Sequence, residues 1–268
     1  MSQAPADWLR PAWPAPPHVG ALFTTRAGGV SQPPWVSLNL GDHVGDAPEH
    51  VQANRARLAA ALGARPVFLR QVHGTQVVEL SADSADGTQA DGAVTAESGV
   101  ACTMMVADCL PVLFAHPGAR VVAAAHAGWR GLAAGVLERT LERFEALAQQ
   151  QRAQTATKFE VNDTLAWLGP AIGPRQFEVG PEVREAFMHA DAGAQACFLP
   201  QPGGKFLADL PALARRRLAA AGVTRVYGND GSDAWCTVGD AARFHSHRRD
   251  QARLGGAGRM AACIWLHD

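Results

Sequence analysis

Apolar residues in this chain gather in short continuous blocks separated by turns rich in glycine and proline, and several stretches between the blocks carry helical spacing. "HVGALFTTRAGGVS" (18–31) predicts a strand running into a Gly-Gly turn, and "WVSLNLGDHVGD" (35–46) predicts a second extended piece. Asp46 and Glu49 have the spacing of a capping box, and the helical pattern of 49–63 ends at Gly63. "ARPVFLRQVHG" (64–74) predicts a strand whose last residues are Val72, His73 and Gly74; "TQVVEL" (75–80) predicts another, followed by a turn-rich segment. "GVACTMMVADCLPVLFAH" (99–116) is a long apolar run broken at Asp108 and Cys109, ahead of Pro111. The run ending in His126 predicts the next strand, and 132–150 an amphipathic helix. The segment 151–163 predicts a loop.

In the second half, 164–180 predicts a strand entering a Gly-Pro-rich turn, and Pro181 suits the first position of a helix. Residues 209–222 predict a helix capped by Asp209 and closed by Gly222. "VTRVYG" predicts a strand, 229–236 a loop, and "RMAACIWL" a buried final strand. Strands and helices mix without a strict βαβ repeat. The fold expected is therefore α+β, one layered domain of mixed sheet and helices over residues 19–268, rather than a Rossmann or TIM fold. Residues 1–18, with five prolines, predict an irregular N-terminal arm.

Composition narrows the function classes. A net charge of -1, from 24 Lys plus Arg against 25 Asp plus Glu, offers no basic field for nucleic acid or a membrane surface. A small-molecule partner and a monomer are expected. Five cysteines without regular spacing do not form a secreted disulfide framework. The first twenty residues lack the apolar core of a signal peptide, and no window is long and apolar enough to span a membrane. The localisation expected is the reducing cytoplasm.

Three residues stand out by position: His73 at one predicted strand end, Cys109 at a strand break, and His126 at the next strand end. Strand ends can converge at one sheet edge. Two imidazoles and a thiolate there would hold zinc with a fourth position open to water or substrate. Each residue alone has a plainer explanation, since strand-end histidines are often satisfied polar groups and single cysteines small buried hydrophobes. "GWRG" (128–131) offers backbone N–H groups at a helix start, with Arg130 as a clamp for phosphate or carboxylate; a surface turn is the plainer alternative. "FHSHRRDQARLGGAGRM" (244–260) adds His245, His247, Arg248 and Arg249, although such runs are usually solvated surface. "LGPAIGP" is an anion-cradling turn or merely a tight connection. Zinc-ribbon, metalloprotease, serine-hydrolase and dinucleotide motifs are all missing.

The motifs "TTRAGGVSQPPWVSLNLGDHVGD", "QVHG", "ADG", "ADCLPVLF", "HAGWRG", "GPAIGP" and "HSHRRD…GRMAACIWL" occur in that order from about residue 20 to the C-terminus. Together they resemble the YfiH family, whose members are also labelled multicopper polyphenol oxidases (laccase domain) and purine nucleoside phosphorylases. The resemblance implies zinc, with copper possible, on His73, Cys109 and His126, and the layered α+β fold shared with a bacterial toxin's cysteine-hydrolase domain. It also implies phosphorolysis of adenosine, inosine, guanosine and methylthioadenosine by inorganic phosphate, with zinc-assisted deamination of adenosine. On that basis Arg130 and Arg248 are expected to position phosphate, and Arg26 and Asn39 to line the substrate pocket. Asp108 is expected as a base or as an orienter of the metal ligands, beside Cys109 in the catalytic group.

Three rival readings remain at this point. Four-copper oxidase chemistry needs many histidine ligands, and the chain has a single H-x-H pair, His245 and His247. A Cys–His amide hydrolase, of the kind linked to editing of peptidoglycan precursors, would use Cys109 as nucleophile and His126 as base. A metal-binding protein without catalysis would need a closed site with a fourth protein ligand.

Overall fold

The computed structural model describes residues 5–152 and 160–267. A four-stranded sheet has the order β1 (Val19–Phe23), β13 (Met260–Leu266), β5 (Val100–Val106), β2 (Arg65–Phe68). A six-stranded sheet has the order β12 (Arg225–Gly228), β8 (Leu165–Leu168), β6 (Leu110–His116), β7 (Ala119–Ala127), β4 (Gly92–Thr95), β3 (Val77–Glu79). A small third sheet joins β10 (Phe198–Gln201), β11 (Lys205–Ala208) and β9 (Glu178–Val179). The helices are α1 (Pro48–Leu62), α2 (Trp129–Ala134), α3 (Val136–Arg152), α4 (Pro181–Ala190), α5 (Leu210–Ala220) and α6 (His247–Leu254). Pairing is mixed: β2 runs parallel to β5, whereas β13 and β1 are antiparallel to their neighbours. The protein is an α+β domain.

The continuous apolar blocks have a simple cause: most central strands are covered on both faces. Along β5, Val100, Cys102, Met104 and Val106 point into a core shared with Leu113, Ala115, Val122 and Ala124 of the six-stranded sheet. The alternate residues Ala101 and Met105 pack with Leu58 and Leu62 of α1. On the far face of the six-stranded sheet, Val112, Phe114, Val121, Ala123 and Ala125 meet Leu137, Leu141 and Phe144 of α3. The layers therefore run helix, sheet, sheet, helix. The alanines of β7 keep that central strand thin enough for packing on both sides.

Several sequence expectations are corrected by tertiary contacts. The strand expected over 64–74 stops at Phe68. Beyond it Gln71 takes over strand pairing with its side chain, donating to Met105 O at 2.9 Å and accepting from Met105 N at 2.8 Å. His73 consequently sits in a loop with φ 61°, not at a strand end. The extended piece at 35–46 joins no sheet; Asn54 of α1 holds it by donating to Asn39 O at 2.9 Å. No capping box forms at Asp46–Glu49, because α1 starts at Pro48 and Asp46 instead accepts from Ala47 N and Asn39 Nδ2. The helix expected from 132 opens at Trp129 and is interrupted at Gly135, whose φ of 101° no helix accommodates. Residues 153–159 of the expected loop lie outside the described residues; 161–163 form a 3-10 turn. Strands β10 and β11 and helix α6 were not expected. Residues 5–18 contribute no helix or extended strand, only a bridge from Leu9 to Phe23. Among the described residues, no helix is long and apolar enough to cross a membrane.

Candidate metal centre

The start of β6 lies beside the end of β7, with Leu110 paired to Ala127 and Pro111 to His126. This register brings Cys109, just before β6, next to His126, and the loop after β2 carries His73 over both. Cys109 Sγ is 3.6 Å from His73 Nε2, and one donor atom from each residue lies within 4.8 Å of the others. His126 is buried, Cys109 half-buried and His73 exposed, so the group opens on one side.

Asp91 organises this arrangement, and reading the sequence residue by residue did not single it out. Its buried carboxylate accepts four hydrogen bonds: Oδ1 from His126 Nδ1 at 2.8 Å and His73 N at 2.9 Å, Oδ2 from Gly74 N at 2.7 Å and Val72 N at 3.1 Å. Burial alone would raise the Asp91 pKa; the His126 hydrogen bond and the loop amides outweigh it and hold the carboxyl below its ordinary value. With Nδ1 of His126 committed as donor, Nε2 is the nitrogen left for a metal, which would take the place of its proton. The strained φ of His73 is held by the same three amide contacts. The "ADG" motif was the available signal: an aspartate directly before a short strand.

The two glycines of "GWRG" serve this close approach. A Cβ at Gly128 would lie 2.6 Å from His73 Cδ2 and 3.1 Å from Cys109 Sγ, and one at Gly131 would lie 2.8 Å from Gly74 O. The space beside this turn is filled by the His73 loop, which these glycines admit. "GPAIGP" is a tight connection, with Ile172 N donating to Asp108 O at 2.9 Å.

Cys109 differs electrostatically from the other thiols. Burial pushes Cys263 up to about 12. At Cys109 burial acts in the same direction, yet the charge of His126 and hydrogen bonds with both histidines bring it down to about 6. His126 moves the opposite way, to about 9: burial lowers it, but the Cys109 thiolate and the Asp91 hydrogen bond prevail. A thiolate, a fixed imidazole Nε2 and a second imidazole within this span fit a divalent metal of borderline softness.

The group forms one end of a cavity of about 450 Å³. Trp129, Ile172, Phe177, Leu210 and Met105 supply apolar walls; Arg130, Arg248, Arg259, His43 and His247 supply donors. Of the residues expected from sequence, Arg130 and Arg248 reach the cavity. Arg130 stacks on Trp129, its guanidinium carbon 4.3 Å from the ring centroid, and Arg248 donates to Glu178 O at 3.1 Å. Asp108 also lines it, with φ 86°, but its oxygens accept from Thr237 Oγ1 at 2.6 Å, Ser246 Oγ at 3.0 Å and Arg248 N at 2.7 Å. It ties the strand break to the start of α6.

Arg26 and Asn39 are not brought to this cavity. Arg26 donates to Val36 O and Ala241 O and lines a separate surface hollow with Pro33, Pro34 and Leu254. Asn39 is fully buried, its amide spent on Gly41, Asp46 and the backbone of Arg259. The basic run divides: His247 and Arg248 face the cavity, while His245 is buried and Arg249 pairs with Asp250. Arg259 and His43 were missed, since neither lies near a ligand in sequence.

A two-imidazole, one-thiolate group beside the ends of two antiparallel strands, opening on a ligand-sized cavity, defines a candidate mononuclear metal centre of catalytic type. The chain belongs to the YfiH family, described as multi-copper polyphenol oxidoreductase laccase, which it matches over residues 20–267. It is 51% identical over 262 residues to a purine nucleoside phosphorylase of Pseudomonas aeruginosa, covering 97% of this chain and 99% of that one. It is 50% identical over 258 residues to the purine nucleoside phosphorylase YfiH of Escherichia coli, covering 96% and 97%. The crystal structure of a Neisseria meningitidis protein superposes with a TM-score of 0.87 at 45% identity, over 98% of this chain and all of the other.

Proposed function

We propose that this chain is a zinc-dependent purine nucleoside phosphorylase acting on adenosine, inosine, guanosine and methylthioadenosine, with a second activity as an adenosine deaminase. It works as a cytoplasmic monomer. The observation that carries the reading is that the His73–Cys109–His126 group and several cationic side chains face one cavity of nucleoside size. The names of its relatives support the phosphorylase part.

Held by His73, Cys109 and His126, zinc would have a fourth position free and supply Lewis acidity there. The chain itself does the positioning. Asp91 fixes the His126 tautomer and the His73 loop, as its four hydrogen bonds require. Phe177 and Trp129 line the cavity and supply apolar contact for a purine. Arg130 and Arg248 orient phosphate, so that its oxygen bonds to the ribose C1′ as the C1′–N9 electron pair leaves with the purine. Asp108 acts on this step through Arg248, whose backbone N–H it holds.

A chromatographic assay with adenosine, with and without phosphate, alongside metal analysis tests this. Adenine and ribose 1-phosphate formed only with phosphate support phosphorolysis, and inosine supports deamination. No turnover of any purine nucleoside by zinc-loaded protein refutes both.

One observation favours a second reading. A thiolate beside a protonated imidazole, as at Cys109 and His126, is what a thiol nucleophile needs. An amide hydrolase of this kind would survive chelation. Copper oxidation has weaker support, because among the described residues one group alone has metal-binding geometry.

A further inference from the structure

Arg259 differs from the other cations of the cavity in how firmly it is held. It directly precedes β13, and its N–H donates to Asn39 Oδ1 at 2.9 Å. Its Nη1 donates to Ala257 O at 2.8 Å and Gly258 O at 3.2 Å. Gly41 lies against its stem so closely that a Cβ there would be 2.7 Å from Arg259 Cγ. The guanidinium is thus fixed on the cavity wall.

Among the described residues it has no carboxylate ion pair, although the charges of the Cys109 thiolate and Asp108, which line the same cavity, act on it. The half-buried Arg55, Arg217 and Arg249 each pair with a carboxylate, whereas Arg26 and Arg215, like Arg259, donate to backbone carbonyls, but neither of those two lines this cavity. Among the described residues Arg259 forms no ion pair within 4.0 Å, and the Asp108 oxygens accept their hydrogen bonds from other groups. A guanidinium drawn partly out of water loses solvation that an anion would restore. Its N–H fork suits two oxygens of one tetrahedral anion. Arg248, His43 and His247 line the same cavity.

We infer that Arg259, with Arg248 and the His43 and His247 imidazoles beside it, forms the seat of a tetrahedral oxyanion, and that this anion is inorganic phosphate. The seat makes Arg259 the anchor and leaves the more exposed Arg130 a lesser part. The inference rests on the phosphorylase reading only for the use to which phosphate is put.

Isothermal titration of the purified, metal-loaded full chain with inorganic phosphate, and separately with adenosine 5′-monophosphate, tests it. Wild type should bind about one phosphate per chain, and Arg259→Met should weaken binding about 10- to 100-fold at unchanged metal content. Arg259→Lys keeps the charge without the fork, and should fall between; it carries the test if Arg259→Met does not fold. Phosphate binding equal to wild type in Arg259→Lys, no phosphate binding by wild type, or binding of the nucleotide alone overturns the assignment. Arg259-dependent phosphate binding without cleavage of any nucleoside leaves the seat intact and removes the phosphorylase reading. Cleavage with an unaltered phosphate KM in Arg259→Lys does the reverse.

Discussion

Asp91→Asn is the sharpest perturbation of the site, because it changes one atom and almost no volume. Each carboxylate oxygen of Asp91 accepts from two N–H groups. An asparagine must place its NH₂ where one of those oxygens stood, so two acceptor positions become donors facing donors. If the amide nitrogen replaces Oδ2, the Val72 and Gly74 amides lose their partner and the His73 loop is released. If it replaces Oδ1, the His73 amide is unpaired and His126 must turn Nδ1 into an acceptor, which puts its proton on Nε2, the atom that faces the site. At about 1.5–3 kcal/mol for each hydrogen bond to a charged acceptor, the loss is about 3–6 kcal/mol in all, an upper bound because the loop can relax toward water. Part of that loss appears as metal affinity, about 10- to 100-fold for a partner that orients ligands. Competition with a chromophoric chelator gives the zinc Kd, and thermal unfolding of the metal-free protein gives the rest. A folded variant whose zinc Kd stays within roughly threefold of wild type, with an unchanged melting temperature, would refute the role assigned to Asp91.

Other consequences are as direct. Gly128→Ala puts a methyl 2.6 Å from His73 Cδ2, so it should displace the loop and lower metal content, whereas Gly87→Ala, at φ 83° with open space around it, should leave metal content alone. Chelation should abolish nucleoside turnover, and zinc should restore it; turnover that survives complete metal removal would favour the thiol-hydrolase reading. Arg130→Ala should raise the phosphate KM; no change in KM or turnover removes Arg130 from the reaction. Burial, then the charge of Arg26, holds His245 down at about 3, so the folded state keeps it neutral. Above pH 6.5 neither state is protonated and nothing is lost, but as pH falls below 6.5 the unfolded chain takes up a proton that the folded one refuses. By pH 4.5 that costs about 3 kcal/mol, and in urea titrations the stability lost between pH 6.5 and pH 4.5 should be greater in wild type than in His245→Asn by about this amount. Equal losses would mean that His245 titrates normally.

Much of the fold was legible in the sequence because its signals are local. Apolar blocks marked β5, β6, β7 and β13; Gly63 and Asp209 marked helix ends that the structure keeps. The break at Asp108–Cys109 and the histidine near the end of β7 were visible as chemistry out of place in apolar runs. The strands β10 and β11 were not, since "FLPQ" and "KFLA" are short and half-exposed and carry no period long enough to read.

The sequence by itself determined which segments are buried and which residue types stand at the strand breaks, because burial and turn chemistry act within a few neighbours along the chain. Tertiary structure alone decided that His73, Cys109 and His126 converge, because their meeting depends on the register of β6 against β7 and on a loop carried over both. It also decided that Asp91 fixes two of the ligands at once, that Arg259 enters the cavity while Arg26 and Asn39 do not, and that Asp108 spends its carboxylate on α6. These are matters of long-range geometry: a carboxylate or guanidinium takes its role from the groups that the folded chain places within about 3 Å of it.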